Sequence, residues 1–458
     1  MMNVSRARYE IDMTQGPLLR KILLFAVPLM LSGSLQLLYN AADIAVVGVF
    51  TQDHTAQAAV TSTSSLINLI VTLFIGLSVG VNVCVSTHHG AGRAKEASQA
   101  VHTAIAISLI AGVGAGLFGL FAARKLLILM DSPADVIDQA TLYLTIYFAG
   151  LPASMLYNFG AAVLRAIGDT RRPLYYLTIS GLINVGLNLI TVIVFGMGVA
   201  GVALSTVASQ VVSAILVLIC LVRSHGVIHL RPKEIRIVAP RLKEIARVGI
   251  PAGLQGMIFS ASNVLIQSSV NSFGSVAMAG NGAAQSLDGF LNVTTNSVAQ
   301  AGLAFSAQNV GARKYRRVGR VLVVCLLLSM GVGLGLGLLM YAFAGPLLRI
   351  YTKDAQVIAH GLIRMRVMCL TYFLCAVMDV FANTIRGTGH SVAPMLVTAL
   401  GVVGIRLGWL FFVFPSNRTL EMLYCSYPVS WIVTSLVHAV CFVSIYRKLL
   451  KRAPLPPH

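Results

Sequence analysis

The chain has 458 residues, of which 57% are hydrophobic and only 11% are charged. Soluble domains carry about 25% charged residues, so most of the surface of this protein must face lipid. The net charge of +19 does not indicate a nucleic-acid-binding protein, because the basic residues lie in short gaps between apolar runs and not on one face of a soluble domain.

Twelve apolar runs are long enough to cross a membrane, which takes roughly 20 residues of helix. The sequence predicts spans near residues 18–50, 57–86, 97–122, 136–164, 173–196, 199–222, 246–271, 276–307, 320–343, 356–385, 393–415 and 421–446. Only Gly196-Met197-Gly198 separates the fifth span from the sixth, which is typical of a tight hairpin turn. The expected fold class is therefore an all-α membrane protein with twelve transmembrane helices.

Lysine and arginine residues are distributed unequally between the loops on the two sides of the membrane. One side, which includes both termini, carries 26 of the 34 basic residues. The other side carries five, and three more fall inside spans: Arg364, Arg366 and Arg406. Because cytoplasmic loops are enriched in basic residues, this bias predicts a multi-pass protein of the bacterial inner membrane with both termini in the cytoplasm.

The second half of the chain repeats the first at an offset of about 220 residues. Arg165-Ala-Ile-Gly168 followed by Pro173 recurs as Arg386-Gly-Thr-Gly389 followed by Pro394, and Asn40 matches Asn263. Six spans per repeat predict two six-helix lobes related by a pseudo-two-fold axis along the membrane normal.

The repeat predicts where the lobes begin and end. Residues 1–222 form the N-lobe and residues 248–458 form the C-lobe. A charged cytoplasmic linker, residues 223–247, joins them. Part of this linker is expected to be a short amphipathic helix on the membrane surface.

Three segments of the first half resemble the MATE (multidrug and toxic compound extrusion) transporters. They are Gly16-Pro-Leu-Leu-Arg-Lys through Pro28 to Tyr39-Asn40-Ala-Ala-Asp43, Gly90-Ala-Gly-Arg93, and Arg165-Ala-Ile-Gly-Asp-Thr-Arg-Arg-Pro173. The resemblance extends over the whole chain and includes the repeat. It implies a V-shaped bundle around a central cleft, and export of cationic or amphipathic compounds in exchange for Na⁺ or H⁺, with no further cofactor.

Four polar residues of the N-lobe are predicted at a similar depth in the membrane. Asp43 lies roughly 33 Å along the first span from Lys21, Asn184 and Asn188 are one helical turn apart in the fifth span, and Thr206 lies in the sixth. Their oxygens suit a hard cation such as Na⁺, and a buried Asp43 is an alternative proton carrier. The positions resemble the N-lobe cation site of MATE transporters, although archaeal members commonly have an acid where this chain has Asn188. The amide and hydroxyl groups alternatively serve helix packing.

The C-lobe has its own buried charges. Asp288 lies in the middle of the eighth span, Asp379 lies in the tenth at the position that matches Asn158, and Arg406 lies in the eleventh. Two acids that face an arginine predict either an ion pair that holds the lobe together or a substrate-binding group near the cleft. For Asp379 the expected partner is Arg386, about two turns away.

Two prolines lie at matched places in the first and seventh spans, Pro28 and Pro251. A proline inside a helix removes a backbone hydrogen bond and bends the helix. Both are candidate hinges that move with ion binding, and a purely structural kink is the alternative.

These features favour a secondary active multidrug efflux transporter that works by alternating access. It is expected to act as a monomer, with small molecules and membrane lipid as its partners and no nucleic acid. The alternative is a flippase for a lipid-linked sugar or another lipid precursor, which needs several arginines or lysines in its cleft. An enzyme is not expected, because the sequence contains no paired catalytic groups at one depth and no closely spaced metal-binding or nucleotide-binding motif.

Overall fold

A computed structural model describes residues 9–50, 54–130 and 136–451. Within these ranges the protein is helical and contains no strand. The helices of the first half are α1 (Leu18–Phe50), α2 (His54–Gly90), α3 (Ala94–Leu129), α4 (Ile137–Ala149), α5 (Leu151–Ala166), α6 (Arg171–Leu189) and α7 (Gly198–Arg223). Those of the second half are α8 (Ala239–Asn271), α9 (Ser275–Gly311), α10 (Tyr315–Ala342), α11 (Ala344–Arg349), α12 (Ala355–Gly387), α13 (Val392–Thr398), α14 (Ile405–Gly408) and α15 (Leu420–Lys451).

Three stretches of π-helix extend or connect these helices. One, Ile190–Val194, continues α6. The other two, Ala399–Gly404 and Trp409–Val413, lie on either side of the single turn of α14. The segment from Val392 to Ser416 thereby forms one membrane-spanning unit of 25 residues.

The helices account for all twelve predicted spans in chain order. In the described parts of the chain, ten helical segments are long and apolar enough to cross a membrane, and α4 with α5, bent by 47°, form an eleventh. The twelfth predicted span is α9, which is 37 residues long but is not among the segments that are apolar enough by this criterion. Its Asn281 and Asp288 are buried, so these two polar residues do not face lipid. The all-α membrane fold is confirmed.

The chain divides into two compact units. The first unit consists of the segment that ends at Asp12 together with Leu31–Gly249, and the second consists of Met13–Met30 together with the chain from Ile250 onward. Both α1 and α8 therefore belong partly to each unit. Pro28 and Pro251 lie within three residues of these divisions. Their hinge function, and the lobe boundaries at residues 222 and 248, stay predictions.

The linker between residues 223 and 247 differs from the expectation of a separate amphipathic helix. It contains two short 3₁₀ turns, Gly226–Ile228 and Pro232–Glu234, and its basic end is the beginning of α8. Proline is favoured in the first turn of a helix, and Pro240 marks this start. The linker backbone is fixed on α3, because the Val238 N–H donates a hydrogen bond of 3.2 Å to Thr103 Oγ1.

The repeated arginine–glycine motif forms the turn between α5 and α6. Gly168 has a φ of +91°, and a Cβ atom there would lie 2.6 Å from the backbone oxygen of Ile11, so only glycine fits. The next residue, Asp169, accepts hydrogen bonds of 3.1 Å from the N–H groups of Arg171 and Arg172 and also forms an ion pair with Arg172. The motif thus closes a sharp turn and satisfies the exposed donors at the start of α6.

Two glycines allow α2 and the first turns of α8 to touch through their backbones. A Cβ atom on Gly80 would lie 2.2 Å from the backbone oxygen of Ile245 and 2.8 Å from the backbone nitrogen of Gly249. A Cβ atom on Gly249 would lie 2.8 Å from the Cα atom of Leu77. Small residues at such positions are a common basis of helix packing in membranes.

We expect Gly80→Ala to lower the stability of the protein by about 1–3 kcal/mol, because its methyl group can be accommodated only by backbone movement. Gly114→Ala in α3 is the matched control, since a Cβ atom there would have no neighbour within 4 Å. The measurement is thermal unfolding of the detergent-solubilised protein, followed by loss of the monodisperse peak in size-exclusion chromatography. Equal melting temperatures for the two variants would contradict the close contact.

Candidate functional site

The four polar residues that the sequence places at one depth of the N-lobe lie together in the first unit. Asn188 Nδ2 donates hydrogen bonds to Asp43 Oδ1 at 2.5 Å and to Asn184 Oδ1 at 3.4 Å. Thr206 Oγ1 lies 3.5 Å from Asp43 Oδ2 and also donates to the Val202 carbonyl at 2.9 Å. Helices α1, α6 and α7 each contribute to this cluster, as expected from its predicted spans.

The cluster is enclosed and rich in oxygen. Asp43 is 9% exposed, Asn184 4% and Asn188 0%. The carbonyl oxygen of the Asn188 amide, Oδ1, is buried and has no hydrogen-bond partner in the described chain. An unpartnered carbonyl oxygen next to a buried carboxylate fits a small cation better than it fits a packing contact, because buried polar atoms are almost always paired.

A π-helical stretch follows this cluster directly in the chain, at Ile190–Val194. Such stretches are uncommon and occur often at functional sites, where they displace side chains from their regular helical positions. Thr191 Oγ1 is 3.1 Å from Ser205 Oγ, which joins the end of α6 to α7 beside the cluster. The local irregularity therefore lies where the polar side chains meet.

The second unit contains a buried ion pair that the sequence did not assign. Both Nε and Nη2 of Arg364 lie 2.9 Å from Asp288 Oδ2, and Nη1 donates to Asn281 Oδ1 at 2.9 Å. Tyr424 donates to the same Asn281 oxygen at 2.9 Å. The expectation that Asp288 faces Arg406 is wrong, because Arg364 on the neighbouring helix α12 takes both charge-assisted contacts.

Arg406 has neutral neighbours instead. Its Nη1 donates to Ser262 Oγ at 3.0 Å and to Asn263 Oδ1 at 2.9 Å, and its Nε lies 3.3 Å from Ser430 Oγ. The guanidinium carbon lies 4.2 Å from the centre of the Tyr427 ring. The arginine is thus held by α8 and α15 without an acid in contact, among the residues that the structure describes.

Asp379 also lacks the predicted direct ion pair with Arg386. Arg386 Nη1 donates to Asn383 Oδ1 at 3.2 Å, one turn away on the same helix, and no carboxylate–guanidinium contact within 4.0 Å joins Asp379 to Arg386 in the described chain. Asn158, the matching residue of the first half, donates to the Ser154 carbonyl at 2.8 Å. Neither residue belongs to the clusters above.

A further cluster was missed from the sequence because Glu244 is 160 residues from Cys84 and 156 residues from His88. The ligand-type atoms of Cys84, His88 and Glu244 lie within 4.8 Å of one another. Arg241 Nη1, however, donates to the same Glu244 oxygen at 3.0 Å and also contacts His88 Nε2. A guanidinium at this place opposes a metal cation by charge, so the cluster is better described as a polar contact that fixes the start of α8 on α2.

The sequence of the chain is similar to those of known proteins. The sequence profile of the family described as MatE matches residues 28–190 and 251–410. The chain is 28% identical to the probable multidrug resistance protein YpnP of Bacillus subtilis, over 85% of this chain and 87% of that protein. It is 27% identical to the probable multidrug resistance protein YoeA of the same organism, over 94% of each.

Solved structures share the fold. A multidrug resistance MATE family transporter of the MOP superfamily in an outward-facing conformation superposes with a TM-score of 0.90. The match covers 97% of this chain and 99% of that one, at 20% sequence identity. The fold of the whole chain is therefore shared, while identity this low carries no assignment of individual residues.

Proposed function

Because this chain belongs to the MatE family, we propose that it is a secondary active multidrug exporter that exchanges cationic or amphipathic small molecules for Na⁺ or H⁺. The relatives named as probable multidrug resistance proteins support the substrate class. The single observation that carries the coupling is the buried Asp43, which lies among the oxygens of Asn184, Asn188 and Thr206. A charge in the interior of a membrane protein is costly and typically marks an ion or substrate pathway.

The coupling step begins at Asp43. A Na⁺ ion would be held by the Asp43 carboxylate, the amide oxygens of Asn184 and Asn188, and the Thr206 hydroxyl, which are the hard ligands that such a cation prefers. A proton would instead neutralise the carboxyl group itself. In either case the buried charge is compensated, which removes the cost of keeping it away from water.

Asn188 is suited to respond to this change. With Asp43 charged, its Nδ2 donates to the carboxylate and its Oδ1 has no partner. A rotation of the amide by about 180° exchanges the two atoms and presents an acceptor to a bound cation or to a protonated carboxyl group. The amide thus distinguishes the empty site from the loaded site.

Asp43 shares α1 with Pro28, and α1 belongs partly to each compact unit. A change in the contacts of Asp43 therefore acts on a helix that both units share. The proline leaves one backbone carbonyl of α1 without its helical partner, which makes bending there less costly. We propose that this connection transmits ion binding to the alternation between inward-open and outward-open states, in a monomer of the inner membrane with both termini in the cytoplasm.

The alternative, a lipid flippase, is less well supported. A pyrophosphate headgroup needs several unbalanced cations, because each phosphate carries negative charge. Arg364 is neutralised by Asp288, and Arg366 lies 3.6 Å from Glu421 with 64% of its side chain exposed. Of the three basic residues predicted inside spans, Arg406 remains without an acid in contact in the described chain. One such group suits a singly charged molecule.

The proposed function is tested by export of ethidium from proteoliposomes with an imposed Na⁺ gradient or an imposed H⁺ gradient, one at a time. We expect one gradient to drive export and an ionophore for that ion to stop it. Protein-free liposomes are the control. If neither gradient moves ethidium or any of several other amphipathic cations, while a fluorescent lipid-linked sugar is flipped, the exporter assignment is wrong and the flippase alternative holds.

A further inference from the structure

We propose that the second unit binds an acidic group of the transported molecule at Arg406. The group is a carboxylate, a phosphate or a sulfonate on an amphipathic molecule. The inference rests on the proposed function in that the ligand is a transported molecule, and it adds amphipathic molecules with one acidic group to the substrate class.

Arg406 lies deep in its membrane span. It is 0% exposed and about 21 Å of helix from Val392, where the span begins. Arginine remains protonated in proteins, so a full positive charge is kept in this interior. A buried charge is costly unless it is paired and hydrogen-bonded. A buried and unpaired charge at Arg406 therefore indicates a functional role for this residue.

The donors of Arg406 are only partly used. A guanidinium has five N–H groups. Nε and Nη1 are directed at neutral oxygens of Ser262, Asn263 and Ser430. The buried Nη2 has no hydrogen-bond partner among the described residues. Two N–H groups of a fully buried cation thus remain for an acceptor that the protein itself does not supply.

Neither acid of the second unit that was predicted inside a span contacts Arg406. Asp288 contacts Arg364 through two 2.9 Å distances, and the hydrogen bonds of Arg406 go to Ser262, Asn263 and Ser430 and not to Asp379. In the described part of this unit, the charge of Arg406 is therefore not balanced by a neighbouring carboxylate.

A second buried donor, on a ring that packs against Tyr427, also lacks a partner. Trp431 Nε1 is without a hydrogen bond in the described chain, and the residue is 1% exposed. The Trp431 ring lies 5.7 Å from the ring of Tyr427, which is the ring that Arg406 covers at 4.2 Å. Buried indole N–H groups normally find an acceptor. The aromatic cluster thus holds two buried donors without an acceptor, and a negatively charged acceptor would satisfy the guanidinium.

The repeat places this cluster on the three spans of the second half that match the spans of the cation cluster in the first. Asn263 matches Asn40 of α1, three residues before Asp43, and spans 7, 11 and 12 correspond in order to spans 1, 5 and 6. Arg406 lies between two π-helical stretches, as Asn188 lies just before one. The two halves thus present the same arrangement of helices with opposite charge: Asp43 in one and Arg406 in the other.

The chemistry of the ligand follows from these groups. Guanidinium and indole N–H groups are donors that suit an oxyanion. The rings of Phe259 and Tyr427 lie 5.4 Å and 4.2 Å from the guanidinium carbon and give the site apolar surroundings, which suit an amphipathic molecule. A zwitterion is compatible with this site, because its cationic part needs no contact with Arg406.

The test compares two probes that differ only in the acidic group: rhodamine B, which has a free carboxylate, and its ethyl ester. Binding to the full-length protein in detergent is measured by fluorescence anisotropy without any ion gradient, so the result does not depend on the coupling ion. We expect the wild type to bind the acid roughly tenfold more tightly than the ester, as for one charge-assisted contact. Arg406→Gln is expected to reduce this preference to less than about twofold, and Arg406→Lys to retain part of it.

Arg366→Gln is the matched control, because this arginine is exposed and lies 3.6 Å from Glu421. It should keep the preference of the wild type. Trp431→Phe, which retains the ring packing and removes the N–H, is expected to weaken binding of the acid more than binding of the ester. The wild-type comparison decides the proposal even if Arg406→Gln does not fold.

Three results would overturn the proposal. The first is equal affinity of the wild type for acid and ester. The second is a preference for the acid that survives in folded Arg406→Gln. The third is a chloride titration that raises the melting temperature of the wild type but not of Arg406→Lys, together with no preference for the acid, which would assign Arg406 to an inorganic anion. Loss of gradient-driven export with an intact acid preference would count against the antiport function and leave the Arg406 site standing.

Discussion

Gradient-driven export of ethidium is expected to fall to nearly the level of protein-free liposomes when Asp43 is replaced by Asn. The substitution keeps the size of the side chain and its capacity to accept a hydrogen bond from Asn188, but it removes the only carboxylate of the cluster. Neither Na⁺ nor H⁺ can then be exchanged for the drug at this site. The loss of a charge-assisted contact corresponds to roughly a ten- to hundredfold decrease in ion affinity.

The measurement is the initial rate of export from proteoliposomes under the gradient that drives the wild type. Asp138→Asn is the matched control, because Asp138 pairs with Arg124 at the surface and 76% of its side chain is exposed. This variant loses the same charge and should export at the wild-type rate. Binding of ethidium to Asp43→Asn in detergent shows whether the variant is folded.

Two results would contradict a role of Asp43 in coupling. If Asp43→Asn exports at more than half the wild-type rate, coupling takes place elsewhere and the cluster of Asn184, Asn188 and Thr206 serves helix packing. If instead both Asp43→Asn and Asp138→Asn lose export equally, the effect is not specific to the buried site.

The second large effect is expected at the buried ion pair of the second unit. Replacing Arg364 by Met leaves the Asp288 carboxylate buried and unpaired, and also removes the contact to Asn281. Breaking a buried ion pair from one side typically costs about 3–5 kcal/mol. At about 2–4 °C per kcal/mol, the melting temperature should fall on the order of 10 °C.

Two further variants show whether a lower melting temperature is due to the loss of the buried ion pair. Arg366→Met removes an arginine two residues away whose pair with Glu421 is exposed, and such pairs contribute at most about 1 kcal/mol. Asp288→Leu combined with Arg364→Met removes both charges and should recover most of the lost stability, because apolar replacements of a whole buried pair are often neutral. If Arg366→Met and Arg364→Met melt at the same temperature, the pair does not stabilise the second unit.

The first unit was largely predictable from the sequence. The apolar runs locate each span, and the fixed rise of a helix converts a residue number into a depth. Asp43, Asn184, Asn188 and Thr206 were therefore expected at one level of the membrane, and the structure brings them together. The Asn188–Asp43 contact also needs the helices to turn these side chains toward each other, which the one-turn spacing of Asn184 and Asn188 favoured.

In the second unit, the partners of the buried charges could not be predicted from the sequence. Depth along the chain did not reveal that Asp288 contacts Arg364 and that Arg406 contacts Ser262, Asn263 and Ser430. Several charges lie at comparable depths there, and their pairing depends on the rotation of each helix about its axis. Residue numbers alone do not fix that rotation relative to a neighbouring helix.

The sequence by itself determined the membrane class, the twelve spans, the internal repeat and the family, because these depend on local hydropathy and on motifs that occupy short stretches of chain. The tertiary structure decided the partner of each buried charge, the contact of Cys84 and His88 with Glu244, and the extension of α8 back to Ala239. These features arise from packing between segments far apart in the chain. In a membrane interior, where water cannot satisfy a buried polar group, such packing determines whether that group is a structural contact or a binding site.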